Sequence, residues 1–356
     1  EAAYTRHTSF EGCRFEHLAS TGLDYKRGNY YDTIRGNLFR DIGGTGIQVG
    51  VFSDEAVEVH LPYNPADLRE VSTGTQVCNN LVTDATNEDW GCIGIAAGYV
   101  REINIAHNEI AGVSYSGISM GWGWTRTINA MRNNTITANR IHHYGKHMYD
   151  VSGIYTLSAQ PGSVISGNWI DSIYKAPYAH DPHHWFYLYT DEGSSYFTVK
   201  DNWCPAPKFL QNANGPGNEW LNNGPQVADS IRLAAGLEPA WQHLLKEKAV
   251  PLSDQPINKA GKSILEITGK NINRNQLLEF ARQNNFSPKA VYSWKDHHVI
   301  YSILSDIRAT RKRAANAFPG ADIKVYEAPF YEFDRSRCPD KQEAKEWDEV
   351  IMTANL

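Results

Sequence analysis

Two aspartates near the middle of the chain are the strongest candidates for chemistry. Asp150 opens the segment 150–157 (DVSGIYTL), and Asp191 lies beside Glu192 in the segment 187–195 (YLYTDEGSS). Cleavage of a glycosidic bond requires two carboxyl groups, one that protonates the leaving group and one that acts as base or nucleophile. Asp150 and Asp191 are therefore candidates for catalytic acid and base. The alternative, which residue type alone favours, is that both cap turns at strand ends and accept backbone N–H groups.

Aromatic residues are frequent and several lie near these aspartates. The chain contains 10 Trp and 19 Tyr, many of them beside Gly, Asn or His. Such rings stack on sugar faces, although they also pack protein cores. We expect the following side chains to bind substrate: Glu192, Tyr155, Tyr189, Trp122, Trp124, His147 and His184.

Histidines cluster in two predicted loop insertions, 142–148 and 174–184. They are His142, His143, His147, His180, His183 and His184. Neither an HxH nor an HExxH spacing is present, so the sequence predicts no metal site. No cofactor is predicted either.

A repeated pattern indicates the elements that would position the two aspartates. Five segments share it: 46–50 (GIQVG), 94–98 (GIAAG), 117–121 (GISMG), 153–157 (GIYTL) and 187–191 (YLYTD). An asparagine precedes each one, and one more continues the series: Asn37, Asn80, Asn108, Asn139, Asn168 and Asn202. Self-similarity at a period near thirty residues is typical of a repeat architecture.

The repeat predicts an all-β fold, a right-handed parallel β-helix over residues 1–224. With a side-chain period of two, one column of residues should point inward: Ile47, Ile95, Ile118, Ile154 and Leu188. The next column should point outward: Gln48, Ala96, Ser119, Tyr155 and Tyr189. Residues 1–4 (EAAY) resemble the middle of a turn of this coil, which predicts that the chain is a fragment of a longer protein.

Composition excludes several classes of partner. The net charge of −6 gives nucleic acid no electrostatic attraction, so we expect no nucleic-acid partner. No apolar run is long enough to span a bilayer. The five cysteines are scattered and form neither a disulfide framework nor metal-binding spacing.

The C-terminal third has a different pattern. We expect a helical cap and linker over 225–261, with helices at 225–237 and 239–247. Residues 262–356 alternate as βαββαβ, which predicts a small α+β ferredoxin-like domain of the dimeric α/β-barrel type, truncated at its end. Residues 348–353 resemble 262–268, as though a second copy were starting, so the C-terminal sheet is expected to pair with a second ferredoxin-like unit.

The segments 43–50, 117–124, 153–162, 189–195 and 235–241 resemble secreted bacterial right-handed parallel β-helix proteins. The resemblance covers roughly residues 1–245 and is strongest to glycoside hydrolase family 141, whose members include an α-L-fucosidase acting on pectic rhamnogalacturonan-II and a xylanase. It implies a secreted or periplasmic location and a polysaccharide or oligosaccharide substrate. The two proposed catalytic aspartates of that family fall on Asp150 and Asp191.

The C-terminal module resembles L-rhamnose mutarotase-like domains. The mutarotase hallmark, a Tyr-His pair followed by Trp-Pro-Glu, is absent from the corresponding stretch, 284–288 (NNFSP). His297 and His298 remain candidates for a sugar-ring acid/base role or for ordinary turn residues.

The main prediction is a glycoside hydrolase acting on a plant or host polysaccharide, such as a fucoside, xylan or a pectin side chain. The alternatives are a noncatalytic carbohydrate-binding β-helix and an L-rhamnose or L-fucose mutarotase activity in the C-terminal module. A polysaccharide lyase is less favoured, because the outward columns contain no Lys and no calcium-binding series of Asp.

Overall fold

The computed structural model describes residues 1–52, 60–176, 178–248, 262–286, 291–294, 296–303 and 307–327. The chain divides into two compact units, Glu1–Val250 and Pro251–Leu356. The strands of the first unit are β1 (Ser9–Glu11), β2 (Arg14–Leu18), β3 (Leu23–Tyr25), β4 (Thr33–Arg35), β5 (Leu38–Ile42), β6 (Ile47–Val49), β7 (Ser72–Thr73), β8 (Gln76–Cys78), β9 (Leu81–Ala85), β10 (Ile95–Ala97), β11 (Val100–Arg101), β12 (Asn104–Ala106), β13 (Glu109–Ala111), β14 (Ile118–Met120), β15 (Thr135–Thr137), β16 (Arg140–His142), β17 (Val151–Thr156), β18 (Ala159–Ser166), β19 (Trp169–Asp171), β20 (Trp185–Thr190), β21 (Ser195–Lys200), β22 (Phe209–Gln211) and β23 (Glu219–Leu221).

These strands form three large parallel sheets. The orders are β1-β4-β8-β12-β15-β18-β21-β23, β22-β20-β17-β14-β10-β6-β3 and β19-β16-β13-β9-β5-β2, with a short pair β11-β7 beside them. The chain visits the eight-, six- and seven-stranded sheets in turn, as in β12, β13 and β14, and then repeats the cycle with β15, β16 and β17. The first unit is therefore a coil of parallel strands, and the prediction of parallel-strand sheets is confirmed.

The predicted inward column is present in the seven-stranded sheet. Ile95 pairs with Ile47 and Ile118, and Ile154 pairs with Ile118 and Leu188. All five side chains are buried in the main hydrophobic core. The glycine before each isoleucine is required by close approach: a Cβ on Gly94 would lie 2.6 Å from the carbonyl oxygen of Gly117.

A ladder of buried asparagines runs along the coil. The backbone N–H and the Nδ2 of Asn108 both donate to Oδ1 of Asn139 at 2.9 Å, and Nδ2 also donates to the Val77 carbonyl at 2.9 Å. The same contacts recur at every step through a ladder that we define as Asn37, Asn80, Asn108, Asn139, Asn168, Asn202 and Asn223. The last member, Asn223, was not predicted.

The segment after the last strands is less helical than expected. It contains a short helix α1 (Asp229–Leu233) and a 3-10 helix (Pro239–Lys246); another 3-10 turn occupies Leu68–Glu70. Leu237, Trp241 and Leu244 pack on Leu38 and Leu81 of the six-stranded sheet. Within the described ranges no helix has the length and apolar character needed to cross a membrane.

The predicted fold class is wrong in its second part, because the ferredoxin-like domain of the dimeric α/β-barrel type is not shown. The described elements there are β24 (Lys262–Thr268), α2 (Arg274–Gln283), β25 (Val291–Trp294), β26 (His297–Ile303), α3 (Ile307–Ala317) and β27 (Asp322–Glu327). They supply one antiparallel sheet of order β25-β26-β24-β27, whereas an α/β barrel of two paired units needs a second sheet. Residues 348–353, the expected second copy, lie outside the described residues. The alternating pattern thus predicted single elements of this region but not a closed domain.

Candidate functional site

Strands β17 and β20 position the two predicted aspartates on neighbouring turns of the coil. Tyr155 pairs with Tyr189 in parallel register. Asp150 lies just before β17, where its φ of 58° is left-handed and its N–H donates to the His184 carbonyl at 2.7 Å. Asp191 lies just after β20, and its N–H donates to the Thr156 carbonyl at 3.0 Å.

Asp191 is a buried carboxylate held by neutral donors. Its side chain is enclosed, with the residue only 7% exposed. Oδ2 accepts a hydrogen bond from the hydroxyl of Tyr155, and Oδ1 accepts one from Nδ2 of Asn212 at 2.7 Å. In the described part of the chain no Arg or Lys forms an ion pair with this carboxylate. Both oxygens therefore act as acceptors.

Asp150 has a different environment. Its side chain is 43% exposed, and its Oδ1 lies 3.0 Å from Nε2 of His184, whose side chain is 37% exposed. The ring of His184 packs edge-on against Phe186 at 5.0 Å. An imidazole in this position can give a proton to the carboxyl group or take one from it.

Tyr189 connects the two aspartates. Burial raises the pKa of its hydroxyl, and the charges of Asp191 and Asp150, together with hydrogen bonds to both carboxyl groups, raise it further. Burial likewise raises the pKa of Tyr115, with the same two charges adding to the effect. Asp150 and Asp191 therefore both lie close enough to the Tyr189 hydroxyl to affect its protonation.

Tyr155 completes this aromatic group. Its ring meets that of Tyr189 edge-on at 4.7 Å and lies 6.3 Å from that of Tyr115. Burial raises the pKa of its hydroxyl well above the ordinary value, and the neighbouring Tyr115 and Asp191 add to the shift. The hydroxyl therefore keeps its proton and donates a hydrogen bond to Asp191.

The two predicted tryptophans form a pair on the Asp191 side. The rings of Trp122 and Trp124 are 4.6 Å apart, and both pack against the buried cluster that contains Tyr155 and Tyr189. Glu192 is oriented toward this side: its Oε2 lies 3.9 Å from Nδ1 of His60, whose ring is 6.4 Å from that of Trp124.

His147 lies in a second aromatic group. Its ring stacks on Trp90 with centroids 4.3 Å apart, and its Nδ1 is hydrogen-bonded to the hydroxyl of Tyr178. Burial, followed by the charge of Lys146, lowers the pKa of His147 to about 4. The imidazole is therefore neutral at physiological pH.

The predicted outward column needs a correction. Tyr155, Tyr189, Ala96 and Ser119 share one face as expected, but all four are buried. Other segments of the chain cover this face, since Trp122 and Trp124 pack on the two tyrosines.

Sequence reasoning missed four contributors: Asn212, Tyr115, Trp90 and Tyr178. Asn212 follows β22 as Asp191 follows β20, and Thr190 pairs with Gln211 in the same sheet, so a register argument could have found it. The segment before β22 lacks the Gly-Ile motif that marks the other turns. The remaining three lie in insertions without a period.

The predicted histidine cluster is dispersed over separate contacts. His142 lies 2.9 Å from Glu109, whereas His147 bonds Tyr178 and His184 pairs with Asp150. No group of three or more possible metal-binding side chains occurs in the described residues. His297 and His298 begin strand β26 of the second unit, where they pair with Thr268 and Ile267.

Comparison with known proteins shows similarity to a solved structure. No family model matches the chain, and no curated protein matches it. A solved structure named glycoside hydrolase is 60% identical with a TM-score of 0.67; the match covers 68% of this chain and 40% of that one. The chain thus spans 40% of the length of that structure. Sequence and fold together show that this chain is related to a protein named glycoside hydrolase.

Proposed function

We propose that this chain carries the catalytic site of a glycoside hydrolase that acts on a plant or host polysaccharide, a fucoside, xylan or a pectin side chain. The observation that carries the proposal is that Asp150 and Asp191, on the paired strands β17 and β20, both act on the hydroxyl of one tyrosine, Tyr189. Two carboxyl groups in different environments are what the reaction requires. The 60% identity to a glycoside hydrolase supports the same reaction class.

The environments assign the two roles. We assign Asp191 as the base or nucleophile, because Tyr155 and Asn212 hold its two oxygens in place. We assign Asp150 as the acid, because His184, 3.0 Å away, can return its proton after each cycle.

The reaction with these roles is a hydrolysis. Asp150 gives its proton to the glycosidic oxygen while the bond between that oxygen and the anomeric carbon breaks. Asp191 stabilises the developing positive charge at the anomeric carbon, either by taking a proton from the attacking water or by bonding to that carbon before water displaces it. In both routes one product gains the hydroxyl of water and the other gains the proton.

The substrate is expected to lie between the aromatic groups. Trp122 and Trp124 would stack on sugar rings on the Asp191 side, and Glu192 would accept hydrogen bonds from sugar hydroxyls there. Tyr155, Tyr189, His147 and His184 would contribute the remaining polar and aromatic contacts.

The test is release of reducing sugar from xylan, pectin and fucosylated glycans by the wild-type protein, Asp150→Asn and Asp191→Asn. We expect each variant to lose about a thousandfold in kcat, since it removes a group that acts on the transition state. An aryl glycoside with a good leaving group needs no acid, so it should restore activity to Asp150→Asn and not to Asp191→Asn.

Asp84→Asn is the matched control. Asp84 has a left-handed backbone like that of Asp150, with φ of 52° against 58°, but it lies exposed on β9. Its replacement should leave activity unchanged. Full activity in Asp191→Asn would contradict the proposal. Equal activity of Asp150→Asn and Asp191→Asn on the aryl glycoside would contradict the assigned roles.

A further inference from the structure

The second aromatic group contains two residues that the proposed site does not use. Trp90 is half-buried and Tyr178 is 57% exposed, so both present ring surface to solvent. They meet on His147, with Trp90 stacked on the imidazole at an interplanar angle of 20° and Tyr178 bonded to its Nδ1. We call Trp90, His147 and Tyr178 the lateral platform.

Hydrogen bonding fixes the orientation of the platform. The hydroxyl of Tyr178 donates its single proton to the Lys146 carbonyl at 3.1 Å, so Nδ1 of His147 must be the donor in the bond between the two side chains. In a neutral imidazole the other nitrogen, Nε2, is then an acceptor. This atom has no hydrogen-bond partner within the described ranges, and it can accept from a ligand hydroxyl.

The lateral platform is connected to the carboxyl pair through the backbone. The N–H groups of His147 and Met148 donate to the Ser114 carbonyl, and the next residue, Tyr115, is influenced by the charges of Asp150 and Asp191. The ring of Trp90 stacks on His147, and His147 precedes Asp150 by three residues, a span of at most about 11 Å. The lateral platform therefore lies beside the carboxyl pair.

We propose that the lateral platform is a sugar-binding subsite next to the one that holds the cleaved bond, so that the protein takes an oligosaccharide and not a simple monosaccharide glycoside. An indole face for the apolar side of a ring and an imidazole acceptor for a hydroxyl are the two contacts that a sugar residue needs. The inference deepens the proposed function and rests on it for the location of the cleaved bond.

The experiment measures binding without turnover. Calorimetric titration of Asp191→Asn with xylohexaose, pectin-derived hexasaccharides and methyl α-L-fucoside is compared with the same titration of the double variant that adds Trp90→Ala. We expect the double variant to bind the hexasaccharide at least tenfold more weakly than Asp191→Asn does. The change in affinity for the monosaccharide glycoside should be much smaller. Tyr178→Phe retains the ring and serves as a second variant. It removes the hydroxyl that is hydrogen-bonded to Nδ1 of His147, so it should weaken hexasaccharide binding about threefold.

Tyr31→Ala is the matched control, because Tyr31 also is an exposed ring stacked on a histidine, His7, at 5.6 Å. It should not alter the affinity. Equal affinities with and without Trp90 and the Tyr178 hydroxyl overturn the inference, as does failure of every hexasaccharide to bind. Hydrolysis is assayed separately. Binding that depends on Trp90 without any cleavage would support the lateral platform and reject the proposed function. Cleavage with no dependence of binding on Trp90 would support the proposed function and reject the lateral platform.

Discussion

The asparagine ladder and the carboxyl pair both bury polar side chains in the same coil, but they satisfy them differently. In the ladder, each asparagine bonds its equivalent on the next turn and a backbone carbonyl, and the contact repeats without change. Around Asp191, each donor is of a different kind: a tyrosine hydroxyl on one side and a single asparagine amide on the other. The repeated hydrogen bonds between equivalent asparagines stabilise the coil. A carboxylate whose two donors differ in kind is available for chemistry.

Removal of a ladder side chain should have the largest effect on stability. Asn108→Ala deletes bonds to Val77 and Asn139 and leaves the Asn80 donors without an acceptor. We expect a loss of about 3–5 kcal/mol in the free energy of unfolding, because several buried groups lose their partners. Urea denaturation measures it.

Asn104→Ala is the control for this prediction. Asn104 belongs to the same turn but is half-buried and bonds side chains only. Its replacement should cost less than about 1 kcal/mol. Similar losses for the two variants would remove the distinction between ladder and surface asparagines.

Removal of the Tyr155 hydroxyl tests the other half of the comparison. Tyr155→Phe deletes the donor to Asp191, so the ionised carboxylate loses stabilisation of about 1–3 kcal/mol. We expect kcat/KM to fall roughly 10- to 100-fold, because Asp191 loses the donor that positions it.

Tyr144→Phe provides the comparison, since its fully buried hydroxyl donates to the Phe186 carbonyl at 2.8 Å and not to a carboxylate. It should lower the thermal midpoint and leave kcat/KM unchanged. If Tyr155→Phe behaved in the same way, its hydroxyl would be structural, like a member of the ladder.

The smallest effect is expected at His147. Its pKa of about 4 lies below the ordinary value of about 6.5, so the unfolded chain binds more protons than the folded protein between these pH values. Stability should therefore rise as pH increases through this window and fall on acidification. His147→Gln should remove about 1 kcal/mol of this pH dependence after allowance for solvent screening, as measured by thermal unfolding from pH 4 to 8. An unchanged slope would show that the histidine is not buried against Trp90 in the folded state.

The asparagine ladder could be predicted from the sequence, whereas the surroundings of the carboxyl pair could be predicted only in part. The inward column and the ladder from Asn37 to Asn202 follow from a repeat that every turn obeys. Tyr155 and Asp191 were identified because the repeat changes at their positions. Asn212 and Tyr115 reach the site from a turn without the motif and from an insertion, so their contacts depend on tertiary packing.

Burial was harder to predict than register. The outward column was placed on the right face, yet its exposure depends on segments that fold over it, such as the one containing Trp122. In the second unit, local alternation predicted individual elements such as α2, which Asn273 caps. It was wrong about the ferredoxin-like domain, since strand and helix order alone does not determine what a sheet packs against.

Asp150, Asp191 and Asn212 come from three successive turns of the coil, and strand register sets where each turn places its group. A change in loop length on one turn can therefore move one of these groups while the hydrophobic interior beneath it stays the same. Substrate preference in such a protein can be adjusted turn by turn, with each turn serving as a separate unit of variation.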